Sequence, residues 1–434
     1  MEDGQLSTDK TDLIVSGVDT RLPERTEGAG PSSVLILSGE MGEGHNAAAA
    51  AITGAIAEVW PDCKVERFDT LELWGRPFAR AASWGYAFQM RAVPATYEVF
   101  YDWLCRSDRF AAATKAAIGG FFGRRLQRFL DARNDDLVIS TYPFGSAALD
   151  WLRNQRGYEV PSVTYVPAFH VHPVWTYPGV DQHFVMYDTA PEHARTEGFA
   201  STMRIGAPPV RDGFGSIGKQ EARKLLDLDQ DAYIVLVTGG AWGLGGMSEA
   251  ARSLAQADTG VQVLAVCGKN TELFKELQAL RLPEERLRVF GYIKNMHEMM
   301  AAVDVVITNG AGSTVLEALC TPRPVIAFRP LAGHGKASTA EMVRRNLAVV
   351  AEDVPALVRV VRQLATDEAL MARMEEAGRE WVDGRDLRNS VREMGLLFRD
   401  RAVNGLSKRV TNGVANGVAK GAANGAASGA SPAL

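Results

Sequence analysis

Apolar and polar positions along this chain fall into short runs of strand length separated by longer stretches with helical spacing. The strand-like runs are Val34 to Leu37, Leu137 to Ser140, Ser162 to Val166 and His183 to Met186, then Ile234 to Val237, Val261 to Val266, Arg288 to Phe290, Val303 to Thr308 and Pro324 to Phe328. Alternation of such runs with helices predicts parallel sheets with crossover helices, an α/β architecture. The series breaks at Gly206-Ala207-Pro208-Pro209-Val210, where Gly and Pro favour an extended connector, so the hinge between two units is placed near residue 207. The expected organisation is an N-terminal domain over 31–206 and a C-terminal domain over 207–403. A polar leader over 1–30 and a tail over 404–434, built of Asn-Gly and Ala-Ser-Gly repeats, are expected to be flexible.

Both units open on a glycine loop between a strand and a helix. In the first, Gly39-Glu40-Met41-Gly42-Glu43-Gly44-His45 leads into the alanine-rich stretch Asn46 to Ala57. Such a junction leaves backbone N–H groups and the positive end of a helix free to face a ligand, with His45 at the helix start. The second loop begins at Gly239 and Gly240 after the run Tyr233 to Val237. The chain therefore reads as two nucleotide-binding-type units facing one another, with chemistry between them.

The C-terminal half adds a third junction. Asn309-Gly310-Ala311-Gly312-Ser313-Thr314 follows a buried strand and starts a helix, offering bare amides and two hydroxyls to a diphosphate. Glu317 lies in the first turn and can accept both hydroxyls of a ribose; a capping box from Thr314 to Glu317 is the competing reading. Further on, the loop Arg329 to Lys336 brings His334 and Lys336 to the end of another strand, as phosphate or sugar contacts or as a solvated loop. In the N-terminal half, His170, His172 and Trp175 follow the strand Val163 to Val166 and suit a sugar or acceptor pocket. The two histidines lack an evident third ligand, and the acids Asp227, Asp229 and Asp231 precede their strand, so no metal site is expected.

Composition narrows the partners. A net charge of −5 argues against a nucleic-acid binder. The cysteines Cys63, Cys105, Cys267 and Cys320 form no CxxC pair, which fits a reducing compartment, and no apolar stretch has spanning length. One local feature departs from the acidic average: Arg106 to Arg133 carries seven bases against two acids, next to an aromatic-rich segment from Trp74 to Cys105. Aromatics beside a basic helix that includes Arg124, Arg125 and Arg128 can form an interface with anionic lipid, against the plainer reading of core aromatics and a solvated helix.

Taken in order, the loop Gly42 to His45, the stretch His172-Pro173-Val174-Trp175 with Pro178 to Asp181, and the segment Phe290-Gly291-Tyr292 through Glu317 resemble the glycosyltransferase family of monogalactosyldiacylglycerol synthases and processive diacylglycerol glucosyltransferases. More distantly the chain is similar to the glucosaminyltransferase that forms lipid II. The resemblance implies a GT-B fold, two Rossmann-like domains with a central cleft. It implies inverting transfer of a sugar from a UDP-sugar donor to a hydroxyl of a lipid or lipid-like acceptor, without a cofactor. By that match Glu317 holds the ribose, Gly312, Ser313 and Thr314 the diphosphate, and the backbone around Tyr292 and Ile293 the uracil. His45, with His172 as second candidate, is the base, and Gly42 and Gly44 lie on the acceptor side. The chain departs from the family at Pro167-Ala168, where a Thr-Asp pair is usual, and at Ala332 to Lys336, a cationic loop in which an acidic sugar is one possible guest. The implied location is cytoplasmic, peripheral to the inner face of the plasma membrane. A UDP-sugar epimerase of related architecture and a non-catalytic sugar-nucleotide binder are the alternatives.

Overall fold

A computed structural model describes residues 30–41, 43–187, 192–240, 246–310 and 312–399. Gly42, most of the leader and the whole tail lie outside the described residues. The strands are β1 (Ser33–Ser38), β2 (Lys64–Asp69), β3 (Leu137–Ser140), β4 (Ser162–Tyr165), β5 (Gln182–Val185), β6 (Met203–Ile205), β7 (Tyr233–Thr238), β8 (Val261–Val266), β9 (Leu287–Phe290), β10 (Val305–Thr308), β11 (Val325–Phe328) and β12 (Ala348–Ala351). They form two parallel six-stranded sheets among the described residues, in the orders β2-β1-β3-β4-β5-β6 and β12-β11-β10-β7-β8-β9.

The helices of the first lobe are α1 (Glu43–Val59), α2 (Arg76–Ala92), α3 (Pro94–Arg106), α4 (Asp108–Leu130), α5 (Pro143–Arg156) and α6 (Glu192–Thr196). Those of the second are α7 (Lys219–Leu225), α8 (Met247–Gln256), α9 (Thr271–Gln278), α10 (Met296–Ala302), α11 (Ser313–Cys320), α12 (His334–Arg344), α13 (Val354–Thr366) and α14 (Glu368–Val382). A last helix, α15, spans residues 387–399.

Strand order decides where a ligand can sit. The first sheet reverses direction of growth between β1 and β3, and the second between β7 and β10. At such a switch point the loops leaving the carboxyl ends of neighbouring strands diverge and open a crevice. Both glycine loops and the Asn309 to Thr314 junction therefore start at switch points, one in the first lobe and two in the second. The Asp227 to Asp231 turn lies before β7, at the opposite end of the sheet, where Asp229 accepts the backbone N–H of Asp231 at 2.8 Å.

The lobes are fixed to one another from behind. Helices α14 and α15 run from the second lobe onto the first, with Trp381, Val391 and Met394 buried in an apolar cluster that also contains Val34, Ile52 and Tyr165. The Trp381 ring packs tilted against Phe169 at 5.1 Å, and its indole N–H and the Arg385 guanidinium both donate to the carbonyl of Met186, at 3.3 and 2.7 Å. Ser390 Oγ is buried at the crossing, accepting from the backbone N–H of Ala207 at 3.1 Å and from the Tyr165 hydroxyl at 3.3 Å.

Ser390→Ala strands the Ala207 N–H in a dry crossing, and a buried unsatisfied donor costs about 1–3 kcal/mol. Urea unfolding followed by circular dichroism should show a lowered midpoint with an unchanged slope; an unchanged midpoint contradicts the role given to this crossing.

Candidate active site

Between the lobes lies a cavity of about 550 Å³. Its walls come from loops after β1, β3 and β4 on one side and after β7, β10 and β11 on the other, with α2, α3 and α4 closing the outer end. Residues singled out in the sequence that line it include Gly44, His45, His170, His172, Trp175, Gly239, Gly240, Gly312, Ser313, Thr314 and His334. Glu317, Tyr292, Ile293, Lys336 and the arginines of α4 stand outside this lining. Tyr292 is exposed, and Ile293 packs against the apolar cluster shared by the two lobes.

The geometric centre of the site is the approach of two helix starts. A Cβ placed on Gly44, in the first turn of α1, would lie 3.5 Å from the Ser313 amide nitrogen at the start of α11. Gly312 precedes α11 with φ +79° and ψ −170°, a backbone region open only to glycine, and supplies no side-chain cap. The first amides of α11 thus face the cleft without a capping oxygen. Thr314 sits inside the first turn rather than at the cap position, so the capping-box alternative for Glu317 does not apply. Gly310, at φ +74°, leaves room for Thr339, whose Oγ1 would be 2.2 Å from a Cβ there.

His45 is held by its surroundings in one protonation state. Its Nδ1 lies 2.8 Å from the Thr141 carbonyl oxygen, and a carbonyl only accepts, so Nδ1 carries the proton and Nε2 keeps its lone pair. The ring packs edge-on to Tyr142 at 5.0 Å and tilted against Trp175 at 5.7 Å. Burial lowers its pKa from 6.5 to about 4 despite the Thr141 bond. His334 is lowered to about 4 by the same cause, and its Nδ1 lies 3.3 Å from the Tyr97 hydroxyl of α3. His170 is also lowered by burial. The rings of His170 and His172 flank Tyr101, at 6.1 and 5.6 Å.

Charges around the rim are largely matched. Lys336 pairs across the cleft with Glu98 at 2.6 Å, Arg329 with Glu249 at 2.5 Å, and Lys269 with Glu43 at 2.7 Å. The cationic character expected of the loop Ala332 to Lys336 is therefore compensated: the ammonium is paired and the imidazole neutral. Glu317, behind the α11 start, has its carboxyl pushed up to about 7 by burial, with Arg211 partly opposing. Among the described residues no group of three or more His, Cys, Asp or Glu is placed to hold a metal ion.

The aromatic segment divides three ways. Tyr86, Tyr97 and Tyr101 line the cavity, Trp74 and Phe78 pack against the first-lobe core, and Trp84, Phe88 and Trp103 are exposed at 71%, 53% and 63%. Neither uniform reading of this segment survives. Tyr97, Tyr101 and Leu104 form an i, i+4, i+7 stripe on α3, a signal present in the sequence. Thr141 and Lys269 carried no local signal, because their relevance comes only from the other lobe or a neighbouring strand. Arg124, Arg125 and Arg128 are all exposed, and the Arg125 guanidinium lies 3.7 Å over the Trp74 ring.

Two parallel-sheet lobes whose helix starts meet at facing switch points define a GT-B fold. A family model for monogalactosyldiacylglycerol (MGDG) synthase matches residues 45–205, and one for glycosyl transferases group 1 matches residues 221–381. A processive diacylglycerol beta-glucosyltransferase of Bacillus cereus is 27% identical over 352 residues, spanning 79% of this chain and 88% of the relative. The protein of the same name from Bacillus subtilis is 29% identical over 257 residues, spanning 58% of this chain and 66% of the relative. Among solved structures, Acinetobacter baumannii MurG aligns with TM-score 0.55 at 14% identity, over 85% of this chain and 99% of its own. A UDP-glucosyltransferase from Polygonum tinctorium aligns with TM-score 0.56 at 13% identity, over 86% and 100%. At these identities the structures speak for the fold. The chain is a GT-B glycosyltransferase related to the monogalactosyldiacylglycerol synthase and processive diacylglycerol glucosyltransferase family.

Two imidazoles held neutral give stability a definite pH dependence. Between about 4 and 6.5 the unfolded chain binds these protons and the folded chain does not. Their contribution is therefore present above the unfolded value and is lost as pH falls through that window. Glu317 acts in the opposite sense as one group against two, favouring the folded state at low pH and losing that effect as pH rises from 4.5 to about 7. Urea midpoints at pH 7, 5.5 and 4.5 should fall for the wild type and fall less for the His45→Gln/His334→Gln variant; equal slopes contradict the neutral-imidazole assignment.

Proposed function

We propose that this protein transfers an uncharged hexosyl group from a UDP-sugar to a hydroxyl of a diacylglycerol-type lipid, with inversion, while docked on an anionic membrane surface. The observation that carries this reading is the two-faced cavity. On the second-lobe side it presents helix amides, Ser313 and Thr314, which suit a diphosphate. On the first-lobe side it presents Tyr86, Phe100, Leu104, Ile118 and Phe144, which suit acyl chains. An epimerase has no use for the apolar face, and a non-catalytic binder has none for a neutral histidine aimed between the two. The names of the Bacillus relatives, which act on diacylglycerol with glucose, support the same acceptor and donor class.

In this reading the diphosphate lies against the starts of α11 and α1, with Glu317 accepting the ribose hydroxyls and Tyr292 and Ile293 bordering the base. Nε2 of His45 takes the acceptor proton as the hydroxyl oxygen forms its bond to C1. The C1–O bond to the β-phosphate breaks on the opposite side, and its electron pair leaves with UDP. Amide dipoles already oriented toward that oxygen stabilise the charge without reorganising. The arriving diphosphate also raises the proton affinity of His45, since a nearby anion favours the imidazolium. His172, beside Trp175 and Tyr101, orients the acceptor. Because Lys336 and His334 present no free positive charge to the sugar, a neutral hexose is favoured over a uronic acid.

No helix among the described residues is long and apolar enough to cross a membrane. The exposed Trp84, Phe88 and Trp103 lie on α2 and α3, which also roof the apolar face, so a lipid acceptor has a short path from the bilayer to His45. Arg124 and Arg128 add attraction to anionic headgroups, about 1 kcal/mol for each base near the surface.

His45→Ala should lower kcat for UDP release on a diacylglycerol acceptor on the order of a hundredfold, with the donor KM little changed. A folded variant turning over at the wild-type rate contradicts its role as base. Separately, Trp84→Ser/Trp103→Ser should reduce co-flotation with phosphatidylglycerol vesicles about tenfold while preserving UDP binding. Undiminished flotation returns these residues to an ordinary exposed surface.

A further inference from the structure

Loss of the sugar adds negative charge to the β-phosphate oxygen, and helix amides offer only partial charges to meet it. Among the described residues no lysine or arginine lines the cavity. Of the cations at its rim, Arg329 is fixed by two contacts to Glu249, at 2.5 and 3.2 Å, and by stacking 4.9 Å from Phe328. Lys336 is engaged on the α3 side by Glu98. Lys269 is exposed and paired much as Lys336 is, and differs from it in its partner. It follows β8, its side chain is 62% exposed, and it forms an ion pair at 2.7 Å with Glu43.

Glu43 is itself a lining residue of the cavity and the first residue of α1, one position before Gly44. The ammonium therefore stands beside the gap between the α1 and α11 starts, where the diphosphate is placed above. A lysine is a compact charge on a flexible four-carbon stem and can change partners with little rearrangement. A diphosphate entering that gap carries more charge than one carboxylate, and it repels Glu43. Glu43 loses little by release, because a carboxylate in the first turn of a helix is stabilised by the macrodipole.

We propose that Lys269 is an exchangeable counter-ion of the reaction: it leaves Glu43 for the donor diphosphate, so that one side chain both closes the two lobes on the nucleotide and neutralises the departing UDP. This rests on the donor reading given above. The exchange makes Glu43 a competitor of the nucleotide, which separates it from a plain cross-lobe latch, where both partners help binding alike.

The test is a calorimetric titration of the full chain with UDP and, separately, with uridine, in wild type, Lys269→Met, Lys269→Arg and Glu43→Gln. Lys269→Met should weaken UDP binding at least tenfold and leave uridine binding unchanged, which also shows that the variant is folded. Lys269→Arg should recover most of the loss, and Glu43→Gln should tighten UDP severalfold. Equal weakening of UDP by Lys269→Met and Glu43→Gln, or a Lys269→Met protein that binds UDP like wild type, overturns the exchange alone. A wild type that binds uridine no more weakly than UDP overturns the donor reading and the exchange with it.

Discussion

The starts of α1 and α11 face each other across the cleft, so close that a methyl group on Gly44 would be in contact with the Ser313 amide. Each helix start carries a partial positive charge of about half a unit, so bringing two together is unfavourable in the absence of an anion. The molecule tolerates this because the lobes are clamped elsewhere, by α14 and α15 folding back onto the first sheet through Trp381, Arg385 and Ser390. Glu43 in the first turn of α1 offsets part of the repulsion. Much of the architecture serves this juxtaposition, and in the proposed reaction it gives the donor diphosphate oriented donors at no cost in reorganisation when the bond to the sugar breaks.

Around that centre the two lobes divide the work by surface chemistry. The second lobe offers backbone amides, small hydroxyls and a buried carboxyl at Glu317. The first offers aromatic rings and a histidine whose tautomer is set by Thr141. Helix α3 joins the two tasks. Its Tyr97 and Tyr101 face the cleft and meet His334 and Gly333 of the other lobe, while Val99 and Trp103 point outward and are exposed. A helix with both faces committed in this way cannot be read as either core or surface from composition.

Much of the frame was legible because parallel strands buried on both faces must be apolar throughout. Each of the nine runs read from the sequence overlaps an observed strand. The strands that escaped, β2, β6 and β12, are all at sheet edges. An edge strand has one neighbour and needs less apolar surface: Lys64–Asp69 is mostly charged, Met203–Ile205 is three residues long, and Ala348–Ala351 is a short run. The glycine loops were legible because phosphate-type junctions constrain residue type locally. What crosses between lobes was not, since Lys269 with Glu43, Lys336 with Glu98 and Tyr97 with His334 are separated by more than two hundred residues. The loop read as cationic is compensated by Glu98, a partner from the other lobe, and Arg125 lies over the Trp74 ring while remaining exposed.

The most direct test of the account concerns Glu317, because the ribose it is assigned fixes where the diphosphate must lie. Burial holds its carboxyl near pH 7, and hydrogen bonds from two ribose hydroxyls require the charged form, so UDP binding below that pH must expel a proton from the site. Calorimetric titration of UDP at pH 6 in two buffers of different ionisation enthalpy measures that proton, and the difference between wild type and Glu317→Gln isolates it from the titration of the phosphate itself. The account predicts a larger proton release in wild type and a loss of about 1.5–3 kcal/mol of binding in the variant, the range for hydrogen bonds to a charged group. Equal proton release and equal affinity in the two proteins would contradict it.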